Sequence, residues 1–259
     1  MQFFPAAHFM WRGFLFIFVG MKHIAWIGLL VLLTLSACDA TTREARRMVK
    51  RAELLADTLP DSTVRMIDSV LRMPASFSER ERMDMALLQA EALFGDRGQE
   101  ISPVMDDDFF DEHIILSTSP ELERAAAYYA GKKRYAKAAH AALYSGFVQQ
   151  HYNEKESAMR SFKEAEQYGK LAIDSLTVAR AEYWMGKMLY EDYMEDEALS
   201  LLISADKYFE KHLAERAILN NLEAAAYMVL KELDSADLCL QKSLAYAEQS
   251  QFPKPSGKL

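Results

Sequence analysis

Three stretches of the chain superimpose when aligned on small residues, and this recurrence constrains the fold more than any other feature. Gly146 is followed twelve residues on by Ala158, then after four by Phe162 and after three by Ala165. Gly186 leads with the same offsets to Ala198, Leu202 and Ala205, and Ala224 to Ala236, Leu240 and Ser243. A small residue on each of two successive helices lets their backbones approach closely, and a large apolar residue one turn on fills the space beside them. Each such hairpin leaves an apolar face that only the next hairpin can cover, so units of this kind stack.

The surrounding sequence agrees. After Cys38 the good helix formers Ala, Leu, Glu, Lys, Met and Arg dominate, and Gly and Pro fall between periodic segments. The pattern predicts helices at 43–57, 61–73, 79–94, 118–130, 133–152, 155–171, 174–192, 195–211, 213–231 and 233–249. Pro60-Asp61-Ser62 opens the second of these and Pro74 ends it. Connections of two or three residues force neighbours into antiparallel hairpins. The exception is residues 96–117, which hold Asp106-Asp107-Asp108, Phe109-Phe110, Asp111-Glu112 and His113. This long acidic linker divides an N-terminal helical region, 39–95, from a repeat domain, 118–259.

These offsets resemble the small–aromatic–small signature of the tetratricopeptide repeat (TPR) family. The resemblance covers about residues 133–249, with a degenerate further unit at 44–73. Units here are spaced by 40 and then 38 residues, against roughly 34 in the family. The proline common at the end of the second helix is missing, and the expected tyrosine occurs only in the third unit, as Tyr227. The resemblance implies an all-α fold, a right-handed superhelix of antiparallel hairpins. It also implies an inner face, lined by first-helix residues, that grips peptides or partner helices. Carried over by alignment, that face comprises His140, Phe147, Gln150 and His151, then Arg180, Tyr183, Lys187 and Tyr190, then Asn221 and Met228. Aromatic and Arg side chains are the usual anchors of protein–protein hot spots. The Lys/Asn set with which some members clamp a C-terminal carboxylate is not reproduced. The chain is also similar to exported repeat regions of bacterial membrane-associated regulators. No polar capping helix follows the third unit, so either a continuation of the array or another chain, including a second copy, is expected to cover that end.

The beginning of the chain carries a different signal. Met21-Lys22-His23, an apolar run from Ile24 to Leu35, and then Leu35-Ser36-Ala37-Cys38 have the layout of a secretory leader over residues 1–38, with Met21 as the expected start. The last four residues resemble the lipobox of bacterial lipoproteins, which implies lipid attachment at Cys38 and a periplasm-facing protein tethered in the cell envelope. The alternative is an uncleaved membrane helix drawn from both apolar stretches. It would place Lys22 and His23 near mid-span at a cost of several kcal/mol, and the run from Ile24 alone is shorter than the roughly 20 residues a span needs. Beyond the cysteine, Arg43, Arg46, Arg47, Lys50 and Arg51 share one helix face, either a solvated stripe or a contact with anionic headgroups.

Charge and motifs exclude other classes. Basic residues number 30 and acidic ones 38, and the leader holds only Arg12 and Lys22, so the remainder is strongly acidic and disfavours nucleic acid. No His-Glu-x-x-His helix, Gly-x-Ser-x-Gly elbow or phosphate-binding glycine loop occurs. Gly131-Lys132-Lys133 follows neither strand nor glycine run. His140 and His151 share a helix face but stand about 16 Å apart at 1.5 Å per residue, too far to share a metal. The acidic linker lacks the glycine and alternating spacing of a calcium loop. Cys239 lies in a helix with the character of a small buried apolar residue. The expectation is a non-enzymatic, cofactor-free scaffold or sensor that binds protein partners. The alternatives are the exported half of a transmembrane transcriptional regulator and an outer-membrane assembly lipoprotein.

Overall fold

The computed structural model describes residues 40–56, 58–94, 119–209 and 212–250. The leader, Cys38 and the acidic linker lie outside them. Among the described residues there are ten helices and no strand. They are α1 (40–55), α2 (Pro60–Leu71), α3 (Glu79–Phe94), α4 (Ser119–Gly131), α5 (Tyr135–His151), α6 (Lys155–Ala172), α7 (Ser175–Glu191), α8 (Glu195–Tyr208), α9 (Leu213–Val229) and α10 (Leu233–Gln249). The three units defined by the small-residue offsets are the hairpins α5–α6, α7–α8 and α9–α10.

Local chemistry explains where the helices begin. Pro60 sits in the first turn of α2, where its fixed φ suits the helix and its missing N–H is not needed. Ahead of α3, the Ser78 N–H donates to Glu81 Oε2 at 2.8 Å while the Glu81 N–H donates to Ser78 Oγ at 3.3 Å, a reciprocal cap. Asp174 caps α7 by accepting from the Thr177 N–H at 3.1 Å. Glu195, Asp196 and Glu197 place negative charge on the first turn of α8, where the helix dipole favours it.

The hairpin turns share one construction. Lys133, Asn153, Ile173, Tyr193 and Lys231 all adopt left-handed backbone, with φ of 57, 58, 59, 61 and 65°. In each case the following N–H reaches back to a carbonyl in the last turn of the preceding helix: Arg134 to Tyr129, Glu154 to Gln149, Asp174 to Gly169, Met194 to Leu189 and Glu232 to Tyr227, at 2.8–3.0 Å. This satisfies end carbonyls and reverses the chain within three residues, which produces the tight antiparallel hairpins.

Packing joins the hairpins into one stack. The main core runs from Met83, Leu87 and Phe94 on α3 through α4–α8 to Leu219 on α9. A smaller core joins Ala45 and Ala52 of α1 to Ile67 and Val70 of α2 and Met85 of α3. Thus α3 serves both. At the centre, Phe147, Phe162 and Trp184 pack with ring centroids 5.4–6.0 Å apart, and Phe94 extends this cluster across Tyr144 and Phe147 at 5.8 and 5.5 Å. Polar ties lock the N-terminal helices in place. Arg46 donates to Glu81 at 2.6 Å, and Tyr129 and Lys137 donate to Asp84 at 2.6 and 2.7 Å.

Candidate functional site

The first helices of the three units touch in succession, α5 with α7 and α7 with α9, so their outer surfaces form one continuous face. What lines that face depends on how closely the backbones approach. At Gly146 an added Cβ would lie 2.6 Å from Phe162 Cδ1, and at Gly186 it would meet Leu202 Cγ at 3.0 Å and the Ala198 carbonyl at 3.2 Å. Ala158, Ala165, Ala198, Ala205 and Ala224 are all fully buried, and Ala236 nearly so. The small residues therefore sit where helices press together. The third unit differs: Leu202 is 0% exposed, whereas Leu240, at the same offset, is 41% exposed.

The residues assigned to the inner face separate into three groups. Phe147 and Tyr183, 3% and 4% exposed, belong to the core and not to a displayed surface. The close approach of α5, α6 and α7 encloses them, Phe147 against Phe162 and Trp184, and Tyr183 edge-on to Trp184 at 6.0 Å. Burial pushes the Tyr183 phenol up to about 12. His140 and Lys187 are half-buried and engaged within the chain. His140 Nε2 lies 3.0 Å from Asp174 Oδ2 and Nδ1 lies 3.5 Å from Glu91 Oε1. Hydrogen bonding to Asp174 and Glu91 outweighs burial and raises its imidazole to about 9. Lys187 Nζ stands 4.6 Å over the Trp184 ring and 3.8 Å from Glu191. Gln150, His151, Arg180 and Tyr190 are half-buried, and Asn221 and Met228 are exposed.

Several organising residues carried no separate signal in the sequence. Trp184 at the aromatic centre and Glu91 opposite His140 each look ordinary in a helical pattern. Asp174, three residues before Thr177, has the spacing of a helix cap, and that signal was available. Cys239 is a free, buried thiol, and burial, with Glu223 alongside, pushes it up to about 11. Among the described residues no group of three His, Cys, Asp or Glu is arranged to hold a metal ion, and no helix is long and apolar enough to cross a membrane.

No protein-family model matches the sequence, and neither does any curated protein. Among solved structures, the nearly identical TPR-like repeats of a Podosopora anserina kinesin light chain align with a TM-score of 0.54 at 13% identity, over 82% of this chain and 98% of that one. BtubC (BKLC) from P. vanneervenii aligns with a TM-score of 0.48 at 18% identity, over 86% of this chain and 96% of that one. Stacked hairpins with small residues at the crossings, one-residue left-handed turns and first helices in mutual contact make this chain a TPR-like helical repeat array.

Proposed function

We propose that the chain is a membrane-tethered lipoprotein whose repeat array serves, on the periplasmic side of the envelope, as a scaffold or sensor that binds another protein and performs no catalysis. The observation that carries the binding role is the row of first helices in mutual contact, on which Asn221 and Met228 are exposed and Tyr190 is half-buried. A helical face carrying aromatic and Met side chains suits a partner segment, because the backbone that presents them is already ordered by helix packing. The tether rests on the lipobox-like Leu35-Ser36-Ala37-Cys38.

Photocrosslinking residues placed at Tyr190 and Met228 in intact cells test the face. The expected outcome is one discrete product of the same mass from both positions, absent when the probe sits at the exposed Leu54 of α1. A smear of unrelated products from all three positions would remove the reading. For the tether, Cys38→Ser is expected to release the protein from the membrane fraction, and continued attachment would mean the leader itself is the anchor.

A further inference from the structure

Between the second and third units, α8, α9 and α10 enclose a cleft of about 270 Å³. Ile203 and Asp206 of α8, Glu223 and Tyr227 of α9, and Ser235, Leu238, Cys239 and Lys242 of α10 line it. Glu223 is 5% exposed. Its one hydrogen bond among the described residues comes from the Cys239 thiol, a weak donor, at 3.6 Å. Most of the other buried acids have a cation or a strong donor beside them, while Glu215 faces the His212 imidazole at 3.9 Å. Asp68 accepts from Gln89 at 2.6 Å, Glu166 is paired with Lys163 and Lys170, and Glu182 lies 3.4 Å from Lys170. Asp206 is held in a fork by Arg216, with both bonds at 2.7 Å, and Arg216 in turn stacks over Tyr246. That guanidinium is therefore committed elsewhere. The second unit has Met185 at the position of Glu223, so the stack itself does not require a carboxyl there.

We infer that this cleft is a recognition pocket for a single basic side chain, Lys or Arg, of a partner protein, with Glu223 as the counter-ion at its base. A buried carboxylate without a strong donor costs folding free energy, and a charged donor arriving from outside removes that cost. The walls suit the rest of such a side chain. Ile203 and Leu238 are exposed apolar surfaces for its methylene stem, and the Tyr227 ring flanks the path of the charge. Lys242 of the same lining and Arg216 beside Asp206 act on Glu223 through space, and neither donates a hydrogen bond to it. Burial, reinforced by Asp206 and only partly offset by Cys239, Lys242 and Arg216, raises the Glu223 carboxyl to about 7. Binding is thus expected to strengthen as pH rises through neutrality and the carboxylate forms. The pocket deepens the binding role proposed above but uses a different surface from the Tyr190 and Met228 face.

The test uses the full chain in detergent, labelled with 3-fluorotyrosine, with the Tyr227 signal assigned by its loss in Tyr227→Phe. The probes are Nα-acetylargininamide and its neutral isostere Nα-acetylcitrullinamide. The expected result is a saturable movement of the Tyr227 signal with the arginine probe, stronger above pH 7 than below, and roughly tenfold weaker with citrulline. Glu223→Gln and Glu223→Met, the latter restoring the residue of the second unit, are expected to abolish the response while the helical circular dichroism persists. No response, an equal response to both probes, or an arginine response that survives in a folded Glu223 variant would overturn the pocket. A discrete crosslinked product at Tyr190 and Met228 alongside such a failure would leave the scaffold reading standing.

Discussion

His140 ties three helices together. It projects from α5, faces Glu91 on α3 and meets Asp174 at the start of α7, so one imidazolium joins the N-terminal helices to the second unit. The linkage with pH has a definite sign. The folded state raises the imidazole from 6.5 to about 9, so its contribution is fully present below 6.5 and is lost as pH rises through about 9. His140→Gln is expected to flatten the decline in the urea midpoint across that window, and an unchanged slope would dismiss the tie. Family alignment placed His140 on the inner face. Its two carboxylate partners lie far away in sequence, Asp174 by 34 residues, and no local pattern pairs them. Tyr183 has the same lesson: the residue type suits a binding face, but the approach of neighbouring helices encloses the ring.

At the scale of the helix pair, the crossing of α5 and α6 rests on Gly146 against Phe162. Gly→Ala in a helix interior contributes about 1 kcal/mol from propensity alone. The new methyl would press into a fully buried ring wedged between Phe147 and Trp184, and overpacking of that kind costs about 1–3 kcal/mol. The clash wins, and Gly146→Ala is expected to destabilise by about 1 kcal/mol in urea titrations. In a Phe162→Leu background, which copies the less severe crowding of the Gly186–Leu202 pairing, the same change is expected to cost less. Strict additivity of the two would disprove the contact. The small–large offsets are local and could be read directly. The turns could not: Lys133, Asn153, Ile173, Tyr193 and Lys231 take a conformation usually given to glycine, so their composition conceals it. They hold it because the bond back into the preceding helix and the packing of the hairpin fix the chain there.

Across the whole molecule, stability depends on position in the stack. Leu202 is fully buried within the stack, while Leu240, its counterpart, is 41% exposed and no helix follows α10 among the described residues. Leu202→Ala is expected to cost about 2–5 kcal/mol and Leu240→Ala less than about 1 kcal/mol, read from denaturation midpoints. Equal losses would show that something encloses the end of α10. The amino-acid sequence determined that the chain is helical, that the helices pair as hairpins and that the hairpins stack, because helix propensity, turn spacing and small residues at crossings act over a few tens of residues. Only the tertiary structure decided which first-helix side chains are displayed and which are core, that His140 serves as a tie, and that Glu223 lies in a cleft beside a thiol. Those outcomes depend on which distant surfaces meet, and burial, which sets both exposure and ionisation, exists only once the units have packed.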